Sequence, residues 1–272
     1  MYQTRMKHQS SVIPVMNYYF YVIIIMMLII SLLITICFLL FIVSMGVTVY
    51  NNDSKKYNKF TKIPMYCIYI PKREDSIKKV FKKLNLDVTF MKGIDKNTID
   101  IDNLVKMNKI IPWGKENIGR IACHYSHLMV IKEFLKSGDE RCIIFEDDLY
   151  CNYSKKKVSD ILTKIFNNLP EDCDILYLGY CWEICKHMTK VNPYIMNASE
   201  PKCRHAYSIN RRTAKILLDK TSIMYHNGDE MYSKLIKNGT LKAYLASVVL
   251  FEQNRGYFGS ELNNNHKPIK CI

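Results

Sequence analysis

The sequence predicts an α/β layered fold with a largely parallel sheet, preceded by one membrane-spanning helix. Two observations lead to this fold class: a long apolar run without charge near the start, and an alternation of short apolar strands with helices after it. With 272 residues, the chain has room for one anchor and one domain of roughly 200 residues. We expect an N-terminal tail at 1–17, a transmembrane helix at 18–45, a polar stem at 46–63 and the folded domain at 64–272.

The predicted membrane helix lies in a stretch, residues 9–52, that contains no charged side chain. Residues 18–45 are almost wholly apolar and, at about 1.5 Å rise per residue, exceed the ~30 Å hydrocarbon core of a bilayer. Three polar side chains in this run, Ser31, Thr35 and Ser44, can hydrogen-bond to carbonyls of their own helix. A signal peptide is the alternative, but the run is longer than its usual apolar region and no small-residue cleavage site follows.

The orientation of this helix is left open by the residues around it. Arg5 and Lys7 precede the span and four lysines follow it within residues 55–62, which favours a cytoplasmic C-terminal domain. Four N-glycosylation sequons favour a lumenal domain instead, although several are expected by chance in so Asn-rich a chain. The sequons begin at Asn52, Asn152, Asn197 and Asn238.

The composition favours anionic partners, because the formal net charge is +14. The alternative is that the lysines only solvate the surface. Nucleic-acid binding is disfavoured, since the charges are spread along the chain, with no Arg-rich arm and no zinc-finger spacing. Four residues could in principle hold zinc, but their spacing lacks the usual second pair of ligands. These residues are Cys181, Cys185, His187 and Cys203.

The soluble part alternates between the two kinds of secondary structure in a way that is typical of a parallel sheet covered by helices. We expect strands at 65–70, 88–90, 142–145, 175–178 and 206–209, helices at 75–84, 118–136, 158–169 and 212–218, and a late apolar, β-leaning stretch at 241–251. The helix at 118–136 is the strongest of these predictions, and Ser137 and Gly138 end it. No internal repeat is visible.

The sharpest local feature is the segment 142–150, in which a buried apolar strand is followed at once by Glu146, Asp147 and Asp148. Ligands bind outside the carboxyl ends of strands in open α/β sheets. Adjacent carboxylates repel one another unless a cation neutralises them, and hard oxygen ligands suit Mg²⁺ or Mn²⁺, which also bridge diphosphate oxygens. Glu146 and Asp148 point to the same side of an extended chain. The alternative is a solvated acidic turn.

Several segments, in order and with consistent spacing from about residue 65 to 254, together resemble glycosyltransferase family 25. This family includes bacterial lipooligosaccharide galactosyltransferases and procollagen galactosyltransferases. The segments that carry the resemblance are IYIPKREDS at 68–76, FMKGID at 90–95, GRIACHYSH at 119–127, CIIFEDD at 142–148, DILYLG at 174–179, HAYSINRRTAKILL at 205–218, DE at 229–230 and LFEQ at 250–253. The sequence departs from the family pattern at Tyr69, Ser76, Lys96 and Arg120, which bears on donor identity more than on fold.

The resemblance implies a GT-A-like fold with a nucleotide-sugar donor, UDP-galactose in many members, and a glycan or a hydroxylysine-type protein as the acceptor. It also implies Mn²⁺ or Mg²⁺ as cofactor, a type II membrane protein and a lumenal catalytic domain in the endoplasmic reticulum, the Golgi apparatus or an equivalent compartment. Asp148 would ligate the metal, and Glu146 or Asp147 would contact the ribose or complete the metal shell.

The resemblance suggests roles for four further residues, and each has a structural alternative. Arg73 would reach the diphosphate or the uracil, unless it is a surface arginine. Asp95 would bind the nucleoside, unless it only caps a helix. Ser126 and His127 would orient the sugar or brace the acidic turn, and a satisfied buried histidine is the alternative for His127. His205 has the same ambiguity.

Inversion at the anomeric carbon, which is the general view of this type of enzyme, needs a carboxylate that takes the acceptor's proton opposite the leaving group. We expect Asp229 in this role, at the start of a helix that runs through Lys237, with Glu230 as second choice. Asp229 could instead be only a helix cap. A transferase using another UDP-hexose such as UDP-glucose and an inactive, membrane-anchored sugar-binding relative are the competing functions.

Overall fold

The structure is a computed structural model of the chain, and it describes residues 13–56, 60–111 and 118–254. The chain divides into two compact units, Met1–Lys56 and Tyr57–Ile272. The first unit contains helix α1 (Ile13–Lys56), which continues through the first part of the predicted stem. The predicted tail lies mostly outside the described residues.

Within α1, the segment Tyr19–Val43 is long and apolar enough to cross a membrane, with a mean hydropathy of 3.2. Its length and composition give it this property, which a signal sequence at the same position would share. None of the side chains in the most apolar window of this segment is buried. Thr35 donates its hydroxyl to the carbonyl of Ser31 at 2.9 Å, which satisfies a polar group within the helix itself, as predicted.

The second unit is built on an eight-stranded mixed sheet with the strand order β2-β1-β3-β8-β5-β9-β7-β6. The pairs β1–β2, β1–β3 and β5–β9 are parallel, whereas β7 and β8 run against their neighbours. Most strands therefore share one direction. The strands are β1 (Met65–Tyr69), β2 (Thr89–Lys92), β3 (Arg141–Glu146), β5 (Ile175–Gly179), β6 (Lys190–Asn192), β7 (Ile195–Asn197), β8 (Ala206–Asn210) and β9 (Ala243–Ala246). Outside this sheet, β4 (Leu149–Tyr150) pairs antiparallel with β10 (Glu252–Gln253).

Helices cover both faces of this sheet because the side chains of each central strand alternate between two apolar cores. In β3, Ile143 and Phe145 face one core with helices α2 (Glu74–Leu84) and α5 (Lys155–Asn167). Cys142 and Ile144 face the other core. That second core contains residues of α4 (Ile118–Ser137), α6 (Arg211–Thr221) and α7 (Gly228–Lys237). A short helix, α3 (Ile101–Lys106), packs with Ile121 of α4 in a smaller cluster.

The predicted fold class is confirmed: an α/β fold with a mostly parallel central sheet follows one apolar N-terminal helix. Several details differ from prediction. The strand expected at 88–90 lies at Thr89–Lys92, and the stretch 241–251 contributes one strand, β9, before a turn into β10. The hairpin β6–β7 and helix α3 were not predicted, because these elements are short and partly exposed.

Candidate active site

One cavity of about 560 Å³ lies at the carboxyl ends of β1 and β3. Eight of the nine predicted site residues line this cavity, and Glu230 is the one that does not. The eight are Arg73, Asp95, Ser126, His127, Glu146, Asp147, Asp148 and Asp229. They come from distant parts of the chain, so the fold gathers them at the edge of the sheet where a parallel arrangement is expected to bind ligands.

The three adjacent carboxylates at the end of β3 and in the turn that follows it have three different sets of partners. Asp147 accepts hydrogen bonds from the backbone N–H of Ile70 at 2.6 Å and from Nη1 of Arg73 at 3.0 Å. Asp148 accepts one from Nε2 of Gln253 at 3.1 Å through Oδ2. Glu146 is turned towards α4. The repulsion between the carboxylates is thereby offset by separate neighbours.

Glu146 is held by a buried histidine. Nε2 of His127 lies 2.8 Å from Oε1 of Glu146, and Nδ1 lies 2.9 Å from the hydroxyl of Tyr207. Because a carboxylate only accepts, Nε2 donates to Glu146 and Nδ1 accepts from Tyr207. Burial lowers the pKa of His127 to about 4, so the ring is neutral. Burial alone would raise the pKa of Glu146, but the hydrogen bond from His127 and the charge of Arg204 lower it below its usual value.

Ser126 and Asp95 form hydrogen bonds that stabilise the loop after β2. The hydroxyl of Ser126 donates to the carbonyl of Ala122 at 2.7 Å and accepts from the N–H of Ile94 at 2.8 Å, so it braces that loop. The carboxylate of Asp95 accepts from the N–H of Asn97 at 2.9 Å and caps a short 3-10 turn. The capping alternative for Asp95 is therefore realised in the structure, and its role towards a nucleoside stays a prediction.

Asp229 lies in the first turn of α7, as predicted. Its Oδ2 accepts from the N–H of Cys203 at 3.3 Å, and its Oδ1 accepts from the N–H of Glu230 at 3.0 Å. Glu230 forms an ion pair with Lys202 at 2.5 Å. Asp229 thus faces the cavity, whereas Glu230 is engaged with a lysine outside the cavity lining.

The residues present fit a hard divalent cation. The described contacts of Glu146 are all made by Oε1, which leaves Oε2 as a ligand, and Asp148 adds a second carboxylate to the lining of the same cavity. Asp147 fits less well, since both of its oxygens accept hydrogen bonds from Ile70 and Arg73. The donor set therefore favours Glu146 and Asp148, the pair predicted from sequence.

Gln253 reaches the acidic turn because the segment 251–254 is hydrogen-bonded to this turn and to His205. The N–H of Asn254 donates to the carbonyl of Asp148 at 2.6 Å, and Nε2 of His205 lies 3.0 Å from the carbonyl of Phe251. Gly179 makes this fastening possible, because a Cβ there would lie 2.2 Å from that carbonyl oxygen and 2.4 Å from Nε2 of His205. His205 is thus a buried positioning residue.

Other residues that line the cavity were not predicted as site residues, among them Arg120, Cys123, Arg204 and Asn227. Arg120 donates to Oδ1 of Asn227 at 3.1 Å. The resemblance covered the segments around them, but only the tertiary structure shows that these side chains meet.

The pairing of the cysteines argues against the zinc site considered from the sequence. Cys181 and Cys203 form a disulfide, and Cys185 is also disulfide-bonded. Thiols that are oxidised to disulfides cannot supply the thiolates that a structural zinc site requires. The disulfide instead fixes the loop that precedes Arg204 beside the cavity.

Comparisons with solved structures give distant likenesses. Mannose-1-phosphate geranyltransferase from Thermus thermophilus is 9% identical, with 72% of this chain and 76% of that chain covered and a TM-score of 0.43. Mouse xyloside xylosyltransferase 1 is 11% identical, with 64% and 67% covered and a TM-score of 0.34. A glycosyltransferase involved in glycosylation of the major capsid of PBCV-1 is 11% identical, with 68% and 93% covered and a TM-score of 0.32. Likenesses at this level carry no argument about function.

The family comparison is decisive where the structural likenesses are not. Residues 69–232 match the family profile described as Glycosyltransferase family 25 (LPS biosynthesis protein). That range is more than half of the chain, and it contains every predicted site residue from Arg73 to Glu230. The family match and the mostly parallel central sheet agree with the GT-A-like fold class that the resemblance implies. The chain therefore belongs to glycosyltransferase family 25 and is a glycosyltransferase.

Proposed function

We propose that this glycosyltransferase transfers a hexose from a UDP-sugar, with galactose from UDP-galactose as the first choice. The acceptor would be a hydroxyl group of a glycan or of a hydroxylysine-type protein side chain. The observation that carries the proposal is the convergence of Glu146, Asp148 and Asp229 on one cavity, because a glycosyl transfer needs both a stabilised leaving group and a base.

Glu146 and Asp148 would hold Mn²⁺ or Mg²⁺. When bound, this cation would offset the negative charge that develops on the departing UDP. The chain's own contribution is to hold the two ligands in place. His127 fixes Glu146 by its hydrogen bond, and Gln253 fixes Asp148. Fixed ligands of this kind lower the cost of organising a metal site.

Donor binding would use the cavity wall beside β1 and β2. Arg73 lies at this wall with its Nη1 on Asp147, so any contact with a diphosphate or uracil would be made by its other donors. Asp95 lines the same wall and would face the nucleoside. Ser126 is engaged at both its donor and its acceptor positions, so its bracing role is favoured over a contact with the sugar.

Asp229 would act as the general base of an inverting displacement. It would take the proton of the acceptor hydroxyl as the oxygen attacks the anomeric carbon and the bond to UDP breaks. Asp229 is half-buried at the cavity, and among the described residues its carboxylate accepts hydrogen bonds only from backbone N–H groups, so no side-chain donor competes with the acceptor hydroxyl for it. Glu230, paired with Lys202, is the weaker candidate.

We further propose a type II protein with a lumenal catalytic domain, anchored through residues 18–45. The Cys181–Cys203 disulfide supports this orientation, because disulfides persist in oxidising compartments. The lysines that follow the span oppose it.

A panel of UDP-sugars incubated with the full-length protein in detergent, with and without Mn²⁺, tests the proposed function. Metal-dependent release of UDP, fastest from UDP-galactose, is expected. Faster release from UDP-glucose would favour the other UDP-hexose. Binding of UDP without release of sugar, with any acceptor offered, would favour the inactive sugar-binding relative.

A further inference from the structure

Arg204 is a buried cation beside the active site, with an exposed fraction of only 5%. Its Nη1 lies 3.4 Å from Nδ1 of His124, its Nη2 lies 3.8 Å from Sγ of Cys123, and its Cζ lies 4.8 Å from the centre of the Tyr232 ring. Among the residues that the structure describes, no carboxylate forms an ion pair with this guanidinium. Its contacts are therefore long or made to groups without full charge.

These neighbours do not neutralise Arg204. Nε2 of His124 donates to the carbonyl of Thr221 at 2.7 Å, so Nδ1 is the bare nitrogen that accepts from Arg204. Burial, together with the charge of Arg204, lowers the pKa of His124 to about 3, so this ring is neutral. Sulfur is a weak hydrogen-bond acceptor, and Sγ of Cys123 lies 3.8 Å from Nη2, so this contact does not neutralise the guanidinium either. The carboxylates of Glu146 and Asp229 act on Arg204 from beyond ion-pair distance. A buried cation is best compensated by an anion in direct contact with it.

The position of Arg204 indicates where such a partner would come from. Arg204 lines the cavity, and Cys123 separates it from the acidic turn, with Sγ also 3.7 Å from Oε1 of Glu146. On its other side, Arg204 lies directly against Gly228, the residue before Asp229. The guanidinium therefore occupies the cavity wall between the predicted metal ligands and the predicted base.

We propose that Arg204 binds the diphosphate of the nucleotide-sugar donor and is a specificity-determining residue for nucleoside diphosphates. This inference rests on the proposed function. A neutral hexose and a nucleoside carry no charge, so the diphosphate is the part of such a donor that can neutralise a buried cation. The planar fork of a guanidinium matches phosphate oxygens in a bidentate manner. Arg204 would bind from one side and the cation on Glu146 and Asp148 from the other.

A substitution at Gly228 can test the role of Arg204 without changing Arg204 itself. A Cβ built on Gly228 would lie 2.2 Å from Nη2 of Arg204 and 2.5 Å from Cζ. A methyl group there must displace the guanidinium, which is the far end of a flexible side chain. Gly228→Ala therefore moves the charge without removing it. Alanine is also a better helix former than glycine, so the backbone of α7 should tolerate the change.

The test is a binding experiment on the full-length protein in detergent with Mn²⁺ present, using UDP and uridine as probes. UDP binding is measured by calorimetry and uridine binding by ligand-detected NMR. Arg204→Gln is expected to weaken UDP binding by about 10-fold or more while uridine binding changes less than about two-fold. Arg204→Lys should lie between the two, because it keeps the charge and loses the fork. Arg212→Gln is the control, since Arg212 is 64% exposed and paired with Asp174.

Gly228→Ala should weaken UDP binding about as much as Arg204→Gln, and combining the two changes should add little. If Arg204→Gln folds poorly, Gly228→Ala alone still tests the effect of displacing the guanidinium. Equal loss of UDP and uridine binding in Arg204→Gln and Gly228→Ala would mark Arg204 as structural and overturn the proposal. If the wild type and Arg204→Gln bind UDP equally, the proposed role of Arg204 is wrong and the proposed function is unaffected. If the wild type binds no UDP, the proposed UDP-sugar donor is wrong as well.

Discussion

Arg73 and Asp147 form a buried ion pair that ties the segment after β1 to the acidic turn after β3. Nη1 of Arg73 lies 3.0 Å from Oδ1 of Asp147, and the two side chains are 8% and 9% exposed. The N–H of Ile70 donates to the other oxygen of Asp147 at 2.6 Å. Both oxygens of Asp147 are thereby used in contacts within the protein. Its role is structural, whereas Glu146 and Asp148 are the proposed metal ligands.

The first prediction concerns the stability that this pair contributes. Arg73→Ala should lower the free energy of unfolding by about 3 kcal/mol, because it leaves a buried carboxylate without its cation. Lys78→Ala, which removes an exposed pair with Glu74 on α2, should leave the stability almost unchanged, because solvent screens exposed ion pairs. Urea titration of both variants measures the difference. Equal stability of Arg73→Ala and the wild type would show that the pair is not a brace.

The second prediction concerns the metal. EDTA should abolish release of UDP from the donor, and Mn²⁺ should restore it, because Glu146 and Asp148 would otherwise face the leaving group without a cation. Asp148→Asn should lose both the activity and the response to Mn²⁺. Asp160→Asn, an exposed carboxylate paired with Lys156 on α5, is the control. Full activity of Asp148→Asn in EDTA would contradict the metal role.

The strands were predictable where the apolar runs are long and bounded by turns, as in β1, β3 and β5. Their direction was not. The alternation of strands and helices favours parallel neighbours, but β8 follows the β6–β7 hairpin and a loop rather than a crossover helix, and it enters the sheet antiparallel to β3 and β5. Local sequence patterns do not reveal the direction of β8 in the sheet, since that direction depends on pairing between strands far apart in sequence.

The site divides in the same way. Glu146, Asp147 and Asp148 could be predicted because they follow a buried strand in an α/β pattern. Arg204 could not, because nothing in its local sequence distinguishes a buried cation from a surface one. Its burial depends on Gly228 and Tyr232 of α7 and on Cys123 of α4. The family segments covered both neighbourhoods without indicating that they meet.

The third prediction concerns pH and stability. His124 is neutral when folded, with burial and Arg204 lowering its pKa to about 3, whereas an unfolded histidine titrates near 6.5. Between these two values the unfolded chain binds the extra proton, so this contribution to stability is present above about pH 6.5 and is lost as the pH falls towards 3. His124→Gln should reduce the slope of unfolding free energy against pH by up to about 1.4 kcal/mol per unit.

Urea titrations of the wild type and His124→Gln at several pH values between 6.5 and 4 measure that slope. His187→Gln is the control, because His187 is exposed and belongs to a surface 3-10 turn. An unchanged slope in His124→Gln would show that this ring already carries a proton in the folded protein.

The fourth prediction concerns topology. In microsomes, an epitope placed after Ile272 should resist protease until detergent is added, because the proposed type II orientation puts the catalytic domain in the lumen. The Cys181–Cys203 disulfide should then resist alkylation under non-reducing conditions. Digestion of the epitope in intact microsomes would place the domain in the cytoplasm, in agreement with the lysines that follow the span.

The last prediction concerns the base. Glu146 and Asp148 are predicted to serve the leaving-group side, so they are poorly placed to take a proton from an acceptor on the opposite face of the sugar. Asp229 lines the same cavity from the first turn of α7, and its described hydrogen bonds come from backbone N–H groups rather than from side chains. Glu230, the adjacent carboxylate, is engaged with Lys202.

A base is needed for transfer and not for donor binding. Asp229→Asn, which keeps the shape and one acceptor oxygen for the N–H of Cys203, should bind UDP within a few-fold of the wild type while transfer falls by ~10²-fold or more. Glu230→Gln is the matched control on the neighbouring residue, and its transfer should fall far less. A folded Asp229→Asn protein with near-normal transfer, together with a large loss in Glu230→Gln, would reassign the base to Glu230. Normal transfer in both would place the base on another residue, because neither carboxylate would then be needed for proton removal.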